Sequence, residues 1–342
     1  MKINFQFFAE AGNMVVTTTG SVVDAYSGNQ VGAVTVSGAN KEFYANELLE
    51  NARPNLVLTQ LGQHMVLPKH HGKTVEWRKL STFAPPESAL QEGVIPTSST
   101  FEMETITAQL QQFGDYTTIS DQLEMHAVDP LVLGLSEEMG AAAGSTAEGV
   151  VRAALAGSTN MYFAPDSAGN LPMELDSILP ENKITMDLVH QIVTTLKRNK
   201  APKFDGRWYV AVIHPCVAYD LTRCDEWIEA HKYAATTELF TGEIGCIRGV
   251  RFIESTEVPV INNYTTNVFL TVFLGKNAFA VVDPEGMGLE MIIKDKSQAG
   301  GPLDQFSTVG YKFETAAAIL YPERLVCLAS AATNGDKETA NL

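Results

Sequence analysis

Two alternating stretches decide the fold: KTVEWRKLS at residues 73–81 and EMETITAQLQQF at residues 102–113. In the first, Val75, Trp77 and Lys79 share one face of an extended chain, and the second alternates in the same way. A period of two predicts two strands. The twenty residues between them, 82–101, contain three prolines and cannot form a tight turn. The pattern therefore predicts a long two-stranded hairpin with a large tip, and such long loops usually have a binding function.

Helical and extended patterns follow the hairpin. Residues 120–157 predict one long, bent helix, capped by Ser120 and bent or restarted at Asp129-Pro130. Each interior glycine costs about 1 kcal/mol relative to alanine, so packing must hold this helix. A loop rich in Gly, Pro and Asn follows at 157–180. The later predictions are a helix from Thr185 or Asp187 to Pro202, a strand at 208–213, a helix from His214-Pro215 to about Tyr233, and strands at 250–253, 268–273, 278–282, 289–293, 310–320 and 324–328. The fold class is therefore α+β.

The N-terminal residues 1–45 predict an extended arm. They are rich in Gly, Ser, Thr and Val, with no sustained helical period. Such a segment has too little apolar mass for a core of its own, so we expect it to become ordered only against another surface. Residues 41–61 predict a short helix that stops near Pro54, followed by an extended element.

Composition excludes several classes of function. The chain has 342 residues, 45% hydrophobic and 19% charged, which is globular but less charged than the usual value of about 25%. The 24 basic and 40 acidic residues give a net charge of −16, which argues against a nucleic-acid reader with a clustered basic surface. Four scattered cysteines do not form a disulfide scaffold. The most apolar window, 268–280, is too short for a membrane helix.

The candidate chemical motifs are weak, and we expect no catalytic, cofactor or metal site. Gly72-Lys73-Thr74 resembles the end of a phosphate-binding loop, but Leu67 stands where the first glycine is required. His64, His70 and His71 lie close together without a cysteine or carboxylate that completes a metal set.

The best nucleophile candidate is Cys216, beside His214, with Cys224 nearby. A thiolate next to an imidazole is what cysteine catalysis requires, but a buried structural thiol is the commoner outcome at a strand-to-helix junction. Trp77 on the hairpin has two possible environments: the body beneath the hairpin, or a neighbouring subunit.

The ordered series of elements resembles the major capsid protein of tailed bacteriophages, with the Hong Kong 97-type fold, and is most similar to the branch typified by the N4-like phages. The resemblance covers most of residues 41–328. The segments that carry it, besides the opening MKINFQFFA (1–9), are YVAVIHP (209–215), YDL (219–221), TGEIG (241–245), GVRFIES (249–255), LGKNAF (274–279) and STVGYKF (307–313).

The resemblance implies a domain organisation and a role for each part. The implied parts are an N-terminal arm at 1–45, the start of a peripheral domain at 46–72, an extended loop with its strands at 73–118, a spine helix and peripheral domain at 119–180, an axial domain at 181–275, peripheral return strands at 276–330 and a flexible tail at 331–342. The arm would lie across an adjacent subunit, and the extended loop would reach over a neighbour within a capsomer.

The implied function is a non-enzymatic shell subunit that forms the hexamers and pentamers of an icosahedral phage head enclosing double-stranded DNA. Its implied partners are other copies of itself, a separate scaffolding protein, a portal and a decoration protein. It would contact DNA without sequence specificity, would not contact a membrane, and would assemble in the host bacterial cytoplasm to become part of the virion. Lys73 and Lys79 lie at the base of the loop, so we do not expect a covalent link between subunits.

Two alternatives remain open from sequence. One is an encapsulin-like compartment subunit with the same fold and a protein cargo. The other, from a different class, is a cytosolic cysteine-dependent hydrolase that uses Cys216 and His214.

Overall fold

The computed structural model describes residues 56–70, 72–80, 89, 93, 98, 100–126, 131–232, 243–263, 265–286, 288–299 and 303–342. The helices are α1 (Leu58–Leu61), α2 (Asp121–His126), α3 (Leu131–Ala156), α4 (Met186–Arg198), α5 (Pro215–Thr222), α6 (Asp225–Lys232) and α7 (Lys296–Ala299). The strands are β1 (Gln63–Leu67), β2 (Thr74–Leu80), β3 (Met103–Gln109), β4 (Gln111–Ser120), β5 (Met161–Phe163), β6 (Tyr209–Ile213), β7 (Glu243–Ile247), β8 (Val250–Glu254), β9 (Val260–Asn263), β10 (Thr266–Leu274), β11 (Phe279–Pro284), β12 (Glu290–Lys294), β13 (Phe306–Ile319) and β14 (Leu325–Ser330). The predicted arm, the helix end near Pro54, most of the hairpin tip and the Asp129-Pro130 helix start lie outside the described residues.

The largest sheet that these residues form has seven strands. Its order is β5-β14-β10-β6-β8-β7, and β9 pairs with β10. Every residue of β6 and β10 is buried, as expected for strands covered on both faces. Ala211 and Ile213 face a core shared with α4, α5 and α6. Val210 and Val212 face a second core shared with α1, the C-terminal half of α3 and β11.

A second sheet, of five described strands, is built around the 14-residue strand β13. Its order is β1-β11-β13-β12, and β4 pairs with β13 over ten residues. Val309, Tyr311 and Phe313 pack with Met139 and Ala143 in the N-terminal half of α3. Helix α3 therefore contributes to the cores of both sheets, which is how its interior glycines are tolerated.

Helix α4 confirms the sequence prediction for this region. Thr185 is its N-cap residue, Asp187 lies in the first turn, and Lys197 and Arg198 complement the helix dipole in the last turn. Its apolar stripe is buried, and Leu188, Ile192 and Leu196 lie on it at a spacing of four residues, which is the spacing expected for the core face of a helix.

Several predicted elements are divided differently in the structure. The segment 102–113, predicted to be one strand, contains the whole of β3 and the start of β4, because β3 ends at Gln109 and β4 begins at Gln111. Ser120 is the last residue of β4 and also caps α2, since its Oγ accepts a hydrogen bond from Leu123 N at 3.3 Å. The predicted loop at 157–180 contains β5, and the helix predicted from 214 to 233 is two helices, α5 and α6. Strand β7 (Glu243–Ile247) is absent from the predicted strands.

The last part of the chain differs most from the prediction. Strand β14, expected among the peripheral return strands, lies in the seven-stranded sheet between β5 and β10. The segment 331–342, predicted to be a flexible tail, packs on this sheet. The amide of Asn267 donates to the carbonyls of Gly335 and Glu338, at 2.8 and 2.7 Å. Asn341 bonds the backbone of Val260 through both its own backbone and its side chain.

Candidate assembly surface

The base of the hairpin is docked on its own subunit. Strands β2 and β3 pair antiparallel from Thr74 opposite Gln109 to Leu80 opposite Met103, as the alternation predicted. The inner face carries Val75, which is 2% exposed and packs against β11 and β13. Trp77 belongs to the same cluster. Of its two predicted environments, Trp77 therefore occupies the one on the body beneath the hairpin.

Lys79, at the base of the hairpin tip, fixes strand β2 to the body of the subunit. Its Nζ lies 3.1 Å from Glu323 Oε1 and 4.7 Å from the centre of the Tyr321 ring. Arg324 lies over the same ring, 3.7 Å from its centre. Both members of the ion pair are partly exposed, so the pair contributes at most about 1 kcal/mol and acts mainly to orient the strand.

The outer face of the hairpin is open among the described residues. Glu76 and Arg78 point outward on β2. Phe101, Leu80 and Met103 are exposed at the end nearest the tip, although they are large and apolar. A cluster of exposed apolar side chains at the end of the described hairpin strands is typical of a surface that another molecule covers.

Helix α3 joins the body to the chain that leads in from the N-terminus. Glu148 is completely buried, and its two carboxylate oxygens accept hydrogen bonds from Leu58 N and Thr59 N, each at 2.8 Å. Burial raises the pKa of Glu148, and the nearby Glu257 carboxylate adds to this, while the backbone donors oppose it. A buried carboxylate thus holds the first turn of α1 at the point where the described chain begins.

The same face of α3 holds the loop after β8. Ser145 Oγ donates to Glu257 Oε1 at 2.9 Å, and Arg152 donates to Glu257 Oε2. Ser145, Glu148 and Arg152 are spaced by three and four residues, which places them along one face of the helix. No sequence pattern described above identifies this group. The available signal was a glutamate in a run of small residues, AAAGSTAEG at 141–149.

The Cys216 and His214 pair is arranged as a helix cap. His214 is the N-cap residue of α5, and its Nδ1 accepts a hydrogen bond from Cys216 N at 3.3 Å. The Cys216 thiol points toward the C-terminal segment, 3.6 Å from Glu338 Oε1. Burial, together with that carboxylate, raises the pKa of Cys216 to about 11. Catalytic thiols have lowered pKa values, so this geometry does not favour the hydrolase alternative.

The other candidate residues also have structural environments. His64 Nδ1 lies 2.7 Å from Asp283 Oδ2, and this hydrogen bond raises the pKa of His64. His70 is exposed, and His71 lies outside the described residues. In the described ranges, no cluster of three or more potential ligands could hold a metal ion. No helix among them is both long enough and apolar enough to cross a bilayer.

The fold is similar to that of several solved phage shells. The capsid of cyanophage P-SCSP1u has a TM-score of 0.61 at 14% identity, over 91% of this chain and 93% of that one. The capsid of cyanophage Pam1 has a TM-score of 0.60 at 12% identity, over 93% and 100%. A virus-like particle from Pyrococcus furiosus has a TM-score of 0.50 at 10% identity, over 84% and 99%. The Hong Kong 97-type fold is therefore confirmed, but the fold alone does not separate phage heads from other shells.

Comparison of the sequence with protein families distinguishes a phage head from other shells. No curated protein matches the chain. The family model described as phage capsid protein matches residues 103–326, about two thirds of the chain, from β3 to β14. Neither the protein-compartment alternative nor the hydrolase alternative is better supported than a phage capsid subunit. The predicted function as a structural subunit of a phage capsid is thereby confirmed, and the chain belongs to the phage capsid protein family.

Proposed function

We propose that this subunit assembles with copies of itself into the hexamers and pentamers of an icosahedral head that encloses double-stranded DNA. The observation that carries the proposal is the hairpin, whose inner face is fixed to its own subunit by Val75, Trp77 and Lys79. Its outer face and its apolar outer end remain available for a neighbour. A surface held rigidly at its base and open at its end is suited to repeated contacts between identical subunits.

The parts of the chain take the roles that the family resemblance implies. Residues 1–45 act as the arm across an adjacent subunit, residues 73–118 as the loop over a neighbour, and residues 119–180 as the spine and peripheral domain. Residues 181–275 form the axial domain, whose loops meet at the centre of each capsomer, and the peripheral strands of 276–330 follow. Because β14 pairs with β10, we place residues 325–330 with the axial sheet in this scheme.

The charge of the chain agrees with a container for DNA. A net charge of −16 limits adhesion between the shell wall and packaged DNA, because both are negative. The wall then encloses the DNA without gripping it. Assembly takes place in the host bacterial cytoplasm, with a separate scaffolding protein, a portal and a decoration protein. The subunit performs no catalysis, and the raised pKa of Cys216 supports this part of the proposal.

Deleting the hairpin tip tests the proposal. Residues 82–101 are removed in one variant and replaced by a glycine-serine linker of equal length in a second, matched variant. Both variants should keep the circular dichroism and unfolding transition of the wild-type chain, because the docked hairpin base remains. With the other head proteins present, the wild-type chain should form shells in negative-stain micrographs, and both variants should stay small.

Normal shells from either variant would contradict the proposed role of residues 82–101 in assembly. A wild-type chain that stays at the size of one subunit with the other head proteins present would contradict the proposal itself. The contents of the purified shells decide between a phage head and a protein compartment. Packaged DNA supports the head, and a protein cargo without DNA supports the compartment.

A further inference from the structure

Strand β4 lies at the edge of the five-stranded sheet. It pairs with β13 along its whole length, from Ser120 opposite Phe306 to Gln111 opposite Thr315. Among the described residues, no strand pairs with its other side. The ladder is regular, with no register shift over ten residues. The free side is therefore an extended row of backbone groups without a bulge in the described ladder.

The hydrogen bonds show which residues face this free edge. At the end of the ladder, Asp121 N donates to Gln305 O at 3.0 Å, so odd-numbered residues direct their backbone groups toward β13. Tyr116 N instead donates to the side chain of Asp115 at 2.8 Å. The even-numbered residues from Gln112 to Thr118 therefore direct their N–H and C=O groups toward the free edge.

This edge has little of the usual protection against pairing. Natural edge strands carry charged side chains, especially lysines, or prolines or bulges, or are very short. The sequence of β4, QQFGDYTTIS, contains no lysine and no proline, its one charged residue is Asp115, and Tyr116 is 71% exposed. A ten-residue edge with a single charge is a template for an added strand that brings no negative charge.

The sheet surface beside the edge has space for the side chains of an added strand. A groove of about 580 Å³ is lined by Tyr116, Lys294 and Lys312, and by Gly114 and Gly310. A Cβ atom at Gly310 would lie 2.7 Å from Tyr116 Cβ, and one at Gly114 would lie 2.5 Å from Tyr311 O. Strands β4 and β13 approach each other too closely at these two positions for a side chain to fit. The floor of the groove at Gly114 and Gly310 therefore has no side chains.

We propose that the free edge of β4 binds residues 31–37 from the N-terminal arm of a second copy by β-strand addition. This inference rests on the proposed function, because it requires copies assembled side by side. The described chain begins only at Leu56, so a long N-terminal segment precedes it. Within that segment, VGAVTVS at 31–37 is uncharged, rich in β-branched residues and followed by Gly38. Seven residues of strand span about 23 Å, which matches the free edge from 112 to 118.

Charge favours the arm over a second copy of β4. Pairing of two β4 edges about their centres would place the two Asp115 carboxylates opposite each other, and like charges in that position are destabilising. The arm segment brings no charge to the edge. Backbone hydrogen bonds would supply the affinity, and Val34 and Val36 would share one face of the added strand.

Disulfide trapping between two singly substituted chains tests the contact. Both chains carry Cys246→Ser, which removes an exposed thiol. One chain also carries Tyr116→Cys, and the other carries a cysteine at Val34, Thr35 or Val36. After co-assembly and mild oxidation, we expect heterodimers that alternate in yield along these three arm positions. Since the two cysteines are on different chains, only contact between copies gives this product.

Each other result has a defined meaning. Homodimers through Tyr116→Cys alone would show β4 pairing with β4 and overturn the proposal. Shells without heterodimers would also overturn it and leave the proposed function intact, whereas failure of the wild-type chain to form shells would count against the proposed function. If the variants do not assemble, hydrogen exchange on wild-type shells decides. Exchange at Gln112, Gly114 and Thr118 should slow by at least about tenfold on assembly, and unchanged exchange would refute the contact.

Discussion

Replacing Glu148 with alanine should destabilise the subunit more than any surface change on the same helix. The substitution leaves two buried backbone donors, Leu58 N and Thr59 N, without their acceptor. Each unsatisfied buried donor costs about 1–3 kcal/mol. Removing the buried carboxylate also relieves its desolvation, which offsets part of this loss. We therefore expect a net loss of about 2–4 kcal/mol in the free energy of unfolding.

Urea unfolding of the unassembled full-length chain, followed by tryptophan fluorescence, measures this loss. With a denaturant dependence of about 3 kcal/mol per molar, the midpoint should fall by about 1 M. The matched control is Glu138→Ala, which removes an exposed glutamate from α3 and should change stability by less than about 0.5 kcal/mol. Equal midpoints for the two variants would refute the role assigned to Glu148.

The pH dependence gives a second measurement on the same residue. The pKa of Glu148 is raised in the folded chain above its ordinary value of 4.5, mainly by burial. A carboxyl group with a raised folded pKa stabilises the fold fully below its unfolded pKa, and this stabilisation is lost as pH rises through the folded pKa. The difference in stability between wild type and Glu148→Ala should therefore widen as the pH falls from neutral toward 4.5. A constant difference would show that burial does not control this carboxyl group.

Two further predictions concern strand packing and thiol chemistry. Gly310→Ala should lower the free energy of unfolding by about 1–3 kcal/mol, because the added methyl group forces β4 and β13 apart. Gly134→Ala, in open space on α3, should instead raise it by up to about 1 kcal/mol. Thermal unfolding compares the two variants, and equal changes in stability would contradict the close approach of the strands. At neutral pH, iodoacetamide should modify the exposed Cys246 well before Cys216, because a pKa of about 11 leaves Cys216 almost entirely protonated. Peptide mass spectrometry measures the two rates. Faster modification of Cys216 than of Cys246 would contradict the assignment of Cys216 as an unreactive thiol.

Sequence patterns predicted the elements whose environment is uniform along their length. Strand β6 is buried at every position, and α4 has one buried stripe, so apolar period alone was sufficient. The alternation of Val75 and Trp77 likewise identified the hairpin and its inner face.

The sequence patterns did not predict the strand boundary where the chain changes its pairing partner while the alternation of apolar residues continues. Ile106, Ala108 and Leu110 continue one alternation, yet β3 pairs with β2 while the next strand, β4, pairs with β13. At the switch, Leu110 N donates to Lys73 O at 2.8 Å, a contact that local sequence cannot specify.

The C-terminal segment shows a related limit. Its small, polar composition predicts a free tail, but the amides of Asn267 and Asn341 fix it to the sheet. The structure of the β3–β4 junction and of the C-terminal segment depends on contacts between residues distant in sequence rather than on local propensity. The edge of β4 was missed for the same reason, because a single sequence does not show which strand of a sheet lies at its margin.

The order of strands also determines when the assembly surface can form. Strand β14 lies between β5 and β10, so the seven-stranded sheet is incomplete until Ser330 has been synthesised. Glu323, which fixes Lys79 of the hairpin, lies just before β14. The inner face of the hairpin packs on β13, which also comes late in the chain. A nascent chain therefore has the hairpin sequence long before it has the surface that holds the hairpin in place. The proposed contacts between subunits need a fixed hairpin, so in this proposal they follow completion of the chain.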